Sequence, residues 1–324
     1  MTGDGERVVF VFPGQGAQGP HMLDGVRGLP DFQAGYEFVC DLTRTNILAE
    51  LERGNVELLR QNKFSSLLTV LVSALSLAQL RRQCAVQPCC VAGYSVGQWT
   101  ALHAVGVLDF PMLARVVLER ARFMDACVER EPSGMYAVVG LPLASVEQVL
   151  GELRADGHRA YVSNVNCLGN YSIAGTHEAL ELARGRFDDL GAKRLSTVPV
   201  SGAWHCPILE DAAHRFSRYL ADVPLAPGTM PVMDNVTGDW LPGDVDQRRR
   251  LLAEHLSKPV LWEAGIRRCI AKCSRFVEIG YGKALTKLGF FIDRRAIFEP
   301  FDLSDPATIS PALGGATSRL DGAG

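Results

Sequence analysis

A serine lies at the centre of a short turn that contains two glycines, Gly93-Tyr94-Ser95-Val96-Gly97. An apolar segment precedes the turn and small apolar residues follow it, so the sequence predicts a strand, a tight turn and a helix. In such a nucleophile elbow the serine hydroxyl is exposed on a strained backbone, and the glycines avoid clashes that a Cβ atom would cause. The N–H of Val96 would point to where an oxyanion forms. The spacing predicts a nucleophile at Ser95, although the pattern also arises by chance in a chain with 32 glycines.

His205 is well placed to act as a general base on a loop, although its position alone is weak evidence for that role. It lies in the segment Val200-Ser201-Gly202-Ala203-Trp204-His205-Cys206-Pro207, between an aromatic residue and a Cys-Pro turn, directly after a predicted strand. A histidine on such a loop is well placed to take a proton from a nucleophile. It is one of seven histidines, and a structural role remains the commoner one for any single histidine.

Two other features could contact a ligand. The loop Pro13-Gly14-Gln15-Gly16-Ala17-Gln18 has two glycines that allow close backbone approach to a ligand, or that simply form a turn. It lacks the Gly-Lys-Ser/Thr ending of a phosphate-binding loop. Arg120 falls on the apolar face of a helix predicted for 111–127. From spacing alone, the commoner explanation is a solvated guanidinium whose stem lies along the surface.

The composition is typical of a globular enzyme without nucleic-acid or membrane partners. The 324 residues are 47% hydrophobic and 21% charged, with a net charge of -3, so no basic surface for nucleic acid is expected. We find no apolar segment long enough to span a bilayer and no signal peptide. The nine cysteines are an odd number without paired C-x-x-C motifs, which indicates reduced thiols in the cytoplasm. Cys269 and Cys273 are better explained by a half-buried helix face than by a metal site.

Hydrophobic patterns predict an α/β protein. One helix, at 64–80, is apolar all round and is therefore expected to be buried. The first strand is a continuous apolar run, as expected of a strand buried on both faces. The strands predicted outside the central part of the chain are 7–12, 88–92, 230–236 and 276–279.

The central part of the chain has a different pattern. Between 131 and 198 the predicted order is strand, helix, strand, strand, helix, strand, which is the ferredoxin-like order. We therefore expect a discontinuous large domain from 1–130 and 199–300, with 131–198 inserted as a small domain. The composition of 301–324, rich in Ser, Pro, Gly, Ala and Thr, predicts a disordered tail.

The motifs, taken together, resemble the malonyl-CoA:acyl-carrier-protein transacylase family, which includes the acyltransferase domains of fatty-acid and polyketide synthases. The resemblance covers nearly the whole chain and seven motifs occur in the family's order. They are Phe12-Pro13-Gly14-Gln15-Gly16-Ala17-Gln18, Gly93-Tyr94-Ser95-Val96-Gly97, Arg120-Ala121-Arg122-Phe123-Met124, Asn164-x-Asn166, Gly202-Ala203-Trp204-His205, Pro259-Val260-x-Trp262 and Glu278-Ile279-Gly280-x-Gly282.

The resemblance implies an α/β-hydrolase-like large domain with an inserted ferredoxin-like small domain and a substrate cleft between them. It implies that Ser95 is the nucleophile and His205 its general base and acid. The backbone N–H groups of Gln15 and Val96 would form the oxyanion hole. A backbone carbonyl in the segment before the Pro-Val motif, at His255, would orient the histidine.

The resemblance also assigns residues to the substrate pocket. Arg120 would pair bidentately with the free carboxylate of a malonyl group. Tyr94 would orient the acyl group, or would simply pack beneath the elbow. Trp204, where the family usually has phenylalanine, would favour malonyl over methylmalonyl units. Asn166 and His255 complete the residues expected around the substrate.

The implied reaction moves a malonyl group from coenzyme A to the phosphopantetheine thiol of an acyl carrier protein through an acyl-serine, without a metal or redox cofactor. Transfer of a different acyl unit and hydrolysis of stalled acyl groups on the carrier protein are alternatives within the same fold. Arg120 argues against the hydrolase, which has no general need for a carboxylate partner. A non-catalytic docking protein is a third alternative, and the intact set of Ser95, His205 and Gln15 argues against it.

Several positions depart from the family pattern. Tyr94 replaces the usual histidine, Gln98 a glutamate and His255 a glutamine, while Leu168 and Asn170 replace a proline and a glutamine. These departures leave the biological setting open. The chain resembles both stand-alone acyltransferases of polyketide pathways and the acyltransferase subunit of malonate decarboxylases.

Overall fold

The structure, a computed structural model, describes residues 7–84 and 86–303. The tail predicted for 301–324 lies, from residue 304 onward, outside the described residues. The strands are β1 (Val8–Phe12), β2 (Pro88–Gly93), β3 (Ser133–Val139), β4 (Ala160–Cys167), β5 (Asn170–Thr176), β6 (Arg194–Thr197), β7 (Arg275–Glu278) and β8 (Ile297–Pro300). The helices are α1 (Phe32–Thr43), α2 (Ile47–Glu52), α3 (Asn62–Gln83), α4 (Gly97–Ala104), α5 (Phe110–Arg130), α6 (Leu143–Ala155), α7 (His177–Asp189), α8 (Glu210–Ala221), α9 (Val245–Glu254), α10 (Trp262–Ile270) and α11 (Ala284–Ile292).

A parallel four-stranded sheet in the order β2-β1-β7-β8 forms the centre of the large unit. Every residue of β1 is buried, and its side chains alternate between two cores. Phe10 and Phe12 belong to one hydrophobic cluster, whereas Val9 and Val11 belong to another on the opposite face. This confirms the prediction that the apolar run at 7–12 is a strand buried on both faces, since such a strand has no solvent-facing positions.

Helix α3 is largely buried, which confirms the prediction for 64–80. Sixteen of its 22 residues are buried. By length and composition it could cross a membrane, so the expectation that no such segment exists was wrong. However, 83% of its most hydrophobic window is buried inside the protein, and the apolar composition is explained by packing in the core.

A second, antiparallel sheet in the order β4-β5-β3-β6 is built from the central part of the chain. The strand, helix, strand, strand, helix, strand order predicted for this region is confirmed. Helices α6 and α7 pack on the sheet and enclose a core of their own, which includes Val138, Leu150, Ile173 and Phe187. This unit therefore has a hydrophobic core separate from the two clusters around β1.

Two details of the large sheet differ from the sequence prediction. The segment predicted as a strand at 230–236 pairs only through two isolated bridges, Val232 with Val91 and Met233 with Trp240, because Asn235 contacts the serine turn instead of continuing a sheet. Strand β8 was not predicted. It is short, half-exposed, at the sheet edge and ends in Pro300, so it lacks the apolar run that marks a buried strand.

Candidate active site

Ser95 lies in the turn between β2 and α4. Its backbone has a φ of 52°, in the left-handed region that non-glycine residues rarely adopt. A Cβ on Gly93 would lie 2.0 Å from the Gly97 oxygen, and one on Gly97 would lie 2.3 Å from the Phe12 oxygen. The glycines are therefore required because the turn packs against itself and against the end of β1, which confirms the reason given for them from the sequence.

His205 reaches this serine from a loop 110 residues further along the chain. Its Nε2 is 2.7 Å from Ser95 Oγ, and its Nδ1 is 2.7 Å from the backbone oxygen of His255. A carbonyl oxygen can only accept, so Nδ1 carries the proton and Nε2 is free to accept from the serine hydroxyl. The arrangement is that of a nucleophile, a base and a group that orients the base.

Burial keeps both histidines neutral. The pKa of His205 is lowered to about 3, first by loss of solvation and then by the nearby Arg120. The pKa of His255 is lowered well below its usual value by burial, His205 and Arg120. Their rings stack with centroids 4.8 Å apart, and within the described residues neither ring nitrogen of His255 has a hydrogen-bond partner. An unprotonated His205 is the form that can accept a proton.

The loop after β1 lies against the serine turn. A Cβ on Gly14 would be 2.7 Å from the Tyr94 oxygen and 3.4 Å from Ser95 Cβ. The side-chain amide of the next residue, Gln15, donates to Asn62 Oδ1 at 3.0 Å and to Ser65 Oγ at 2.6 Å, both on α3.

Two backbone donors belong to the residues that follow the contact between Gly14 and Ser95, namely Gln15 and Val96. In the described part of the chain, the N–H groups of Gln15 and Val96 donate to no other protein group. Val96 directly precedes α4, so its N–H belongs to the positive end of that helix. The arrangement thus leaves two donors available to an oxyanion.

Arg120 is fully buried on α5. None of its three guanidinium nitrogens has a hydrogen-bond partner among the described residues. Burial lowers its pKa to about 10, and Asp125 partly offsets this, so the side chain remains a cation at neutral pH. A buried cation without a partner is costly, and it lies close enough to lower the pKa of both His205 and His255. The interpretation of a solvated surface arginine is wrong.

The side chains of Tyr94 and Asn166 join the two units of the fold. The Tyr94 hydroxyl donates to Asn166 Oδ1 on β4 at 2.7 Å, and the tyrosine ring packs edge-on against Trp262. Asn166 Nδ2 in turn donates to Asn170 Oδ1 at 3.1 Å. Trp204 is buried directly before His205, and its indole N–H has no partner within the described residues.

Asn235 contacts the serine turn from the segment predicted as a strand, and it was not among the predicted site residues. Its Oδ1 accepts from the Ser95 N–H at 2.8 Å, and its Nδ2 donates to the Gly93 oxygen at 2.7 Å. Gln98 Oε1 accepts from the Asn235 N–H at 3.0 Å. A polar Asp-Asn pair that interrupts an apolar run was the only signal in the sequence.

Solved structures that are similar to this chain include transacylases. A malonyl CoA-acyl carrier protein transacylase from Coxiella burnetii is 26% identical, covers 95% of this chain and 98% of its own, and superposes with a TM-score of 0.88. A malonyl-transacylase in complex with its type II polyketide synthase acyl-carrier protein is 26% identical, covers 96% of this chain and 100% of that chain, with a TM-score of 0.87. These likenesses define the class as a mixed α/β transacylase fold.

A curated relative identifies the family. The malonyl CoA-acyl carrier protein transacylase of Salmonella typhimurium is 30% identical over 309 residues, which are 94% of this chain and 98% of the relative. No protein-family model matches the chain. The chain belongs to the malonyl-CoA:acyl-carrier-protein transacylase family, as the resemblance of its motifs predicted.

Proposed function

We propose that this protein transfers a malonyl group from coenzyme A to the phosphopantetheine thiol of an acyl carrier protein through an acyl-serine. The observation that carries the proposal is the buried cation Arg120, which has no hydrogen-bond partner among the described residues and lies near the hydrogen-bonded pair of Ser95 and His205. The pair supplies acyl-transfer chemistry, and the cation selects an acyl group with a free carboxylate. The names of the relatives agree with both parts.

In the first half-reaction, Ser95 Oγ attacks the thioester carbonyl while His205 Nε2 takes the hydroxyl proton. The carbonyl oxygen becomes an oxyanion held by the N–H groups of Gln15 and Val96. Collapse breaks the C–S bond, and the coenzyme A thiolate leaves with the proton from His205. In the second half-reaction the carrier thiol gives its proton to His205 and attacks the acyl-serine. The C–O bond to Ser95 then breaks, and His205 returns the proton to Ser95 Oγ.

The His255 carbonyl holds His205 in the productive tautomer throughout this cycle. When His205 becomes an imidazolium, the same carbonyl stabilises the proton on Nδ1. No carboxylate takes this role in the proposed mechanism.

Arg120 would bind the malonyl carboxylate through charge-assisted hydrogen bonds. Guanidinium geometry suits bidentate pairing with a carboxylate, and the unpartnered nitrogens supply the donors. Trp204 would restrict space at the α-carbon. Tyr94 and Asn166 would shape the pocket across the junction of the two units, because their side chains already bond to each other.

At the level of the fold, we propose an α/β-hydrolase-like domain of residues 1–130 and 199–300 with a ferredoxin-like insert at 131–198. The separate core of the insert and its antiparallel sheet order support this division. We further propose a cytoplasmic location, because the nine cysteines are an odd number without paired C-x-x-C motifs, which favours reduced thiols.

The test is incubation with malonyl-CoA followed by mass spectrometry of the intact protein and its peptides. We expect one malonyl adduct on Ser95, which disappears when a phosphopantetheinylated carrier protein is added. Ser95→Ala should retain the fold and form no adduct. Transfer by the alanine variant well above background, or rapid hydrolysis of malonyl-CoA without an acceptor, would contradict the proposal.

A further inference from the structure

Two residues of the candidate active site have strained backbones in a buried setting, one in the serine turn and one in the loop that carries His205. Ser95 and His205 have φ values of 52° and 60°, and non-glycine residues keep such angles only where surrounding contacts enforce them. The glycines explain why the turn has room, but they do not explain what holds it in place. The contacts that could do so come from Asn235.

The Asn235 carboxamide bridges the turn with both of its ends. Its oxygen accepts from the Ser95 N–H and its nitrogen donates to the Gly93 oxygen, at 2.8 and 2.7 Å. Asn235 is fully buried, so water does not compete for these bonds. One planar amide thus pairs with the donor and the acceptor on either side of Tyr94, as a neighbouring strand would do in a sheet.

Asn235 is itself fixed on several sides. Its own N–H donates to Gln98 Oε1 at 3.0 Å, and its carbonyl accepts from the Leu261 N–H at 2.8 Å. Gln98 Nε2 donates to Asp234 Oδ1 at 3.2 Å, and Asp234 Oδ2 accepts from Thr237. Gln98 lies in the first turn of α4. The hydrogen bonds of Asn235 therefore connect to the helix that follows the serine.

We propose that Asn235 is the positioning residue for the nucleophile. It holds the left-handed backbone of Ser95 so that Oγ points at His205 Nε2. It also occupies the Ser95 N–H, which leaves the Val96 N–H as the donor of this turn that faces an oxyanion. The role rests on the proposed function only in that Ser95 acts as a nucleophile.

The bridge needs one acceptor and one donor on the same planar group. In Asn235→Asp the carboxylate still accepts from Ser95 N–H, but a second oxygen without a proton would face the Gly93 carbonyl. Protonation of that carboxylate would restore a donor, so the defect should lessen at lower pH. Two titratable groups join this network, Asp234 through Gln98 and His205 through Ser95. His205 stays unprotonated at pH 5 and pH 8, because its pKa is about 3.

The experiment measures how fast phenylmethylsulfonyl fluoride labels Ser95, and the single-turnover rate and KM of acylation by malonyl-CoA, at pH 8 and pH 5. We expect Asn235→Asp and Asn235→Ala to slow both rates about ten- to hundredfold at pH 8, with little change in KM. The aspartate variant should recover at pH 5 and the alanine variant should not. Asn46→Asp is the matched control, because both hydrogen bonds of Asn46 use its oxygen as acceptor.

The outcomes separate this role from the proposed function. If the unmodified protein is labelled by the sulfonyl fluoride but not by malonyl-CoA, the proposed function fails and the role of Asn235 is still decided by the labelling rates. Folded variants that are labelled as fast as the unmodified protein would overturn the role. Loss of the native circular dichroism by both variants would also overturn it, since Asn235 would then support the whole fold.

Discussion

Arg120 is held in a state that favours function over stability. Its buried guanidinium has no hydrogen-bond partner within residues 7–84 and 86–303, which destabilises the free protein, and a bound carboxylate would remove that penalty. Arg120→Met should therefore raise the melting temperature of the free protein while lowering malonyl transfer by about 2–5 kcal/mol in kcat/KM. Acetyl transfer should fall much less.

The matched control for this change is Arg122→Met on the same helix. The Arg122 side chain is 58% exposed and pairs with Glu119, so its removal should change neither quantity much. Melting curves and kcat/KM for malonyl-CoA and acetyl-CoA provide the comparison. Equal losses for both thioesters in the Arg120 variant would show that the arginine is structural.

Trp204 is expected to restrict the acyl group by its size. It is buried next to the base, and fitting one extra methyl group into a packed pocket costs about 1–3 kcal/mol. The unmodified enzyme should therefore prefer malonyl-CoA over methylmalonyl-CoA, and Trp204→Ser should reduce the preference. Similar kcat/KM values for the two thioesters in the unmodified enzyme would refute this role.

Tyr94 contacts residues of both units of the fold, in addition to lying next to the nucleophile. Its hydroxyl bonds to Asn166 and its ring packs on Trp262, so it braces the junction of the two units. Tyr94→Phe should lose one neutral hydrogen bond, about 0.5–1.5 kcal/mol, in the free energy of unfolding. Tyr94→His should retain malonyl transfer if it restores the commoner arrangement. A fully active Phe variant beside an inactive His variant would rule out a role in orienting substrate.

At the scale of elements, the contact between the end of β1 and the start of α4 fixes the serine turn. A Cβ on Gly97 would meet the backbone oxygen of Phe12 at 2.3 Å, and a backbone atom in a sheet cannot move aside cheaply. Gly97→Ala should lower the free energy of unfolding and the rate of Ser95 acylation together. Gly185→Ala in α7 is the control, because nothing lies within 4 Å of the added atom and the helix should gain about 0.5–1 kcal/mol. Chemical denaturation that finds equal stability for both variants would contradict the role of this contact.

At the scale of the whole molecule, the two stacked histidines make the fold sensitive to acid. Burial holds the pKa of His205 at about 3 and that of His255 well below its usual value. In the unfolded chain these rings bind protons near pH 6.5. Below that pH the unfolded state binds more protons than the folded state, so the free energy of unfolding decreases as the pH is lowered. Each histidine contributes about 1.4 kcal/mol per pH unit until its folded pKa is reached.

Urea denaturation at pH 7 and pH 5 tests this expectation. The unmodified protein should lose stability over this interval, and His255→Gln should lose less, because it keeps the backbone carbonyl and removes one titrating ring. Comparison of the two slopes cancels the carboxylates that both proteins share. Parallel slopes would show that His255 binds protons equally in the folded and unfolded states, so that burial does not lower its pKa.

The parts of this protein that the sequence determined by itself are those with a local cause. The strand-turn-helix pattern around Ser95 follows from an apolar run and two glycines, and the order of elements at 131–198 follows from alternating strand and helix periodicities. The pairing of Ser95 with His205 could be predicted because their two motifs resemble those of a family in which a serine nucleophile and a histidine base act together. The buried helix α3 was likewise evident from its apolar composition.

Only the tertiary structure decided features that depend on which groups are left with or without partners. Spacing placed Arg120 on an apolar helix face, but whether its guanidinium reaches solvent depends on what packs over it. Asn235 lies 140 residues from Ser95 in the sequence. Its segment was predicted as a strand, since nothing local shows that the folded chain brings the Asn235 amide to the serine turn. Whether a buried polar group has a hydrogen-bond partner depends on segments that are distant in the sequence. For that reason no local sequence pattern predicts it.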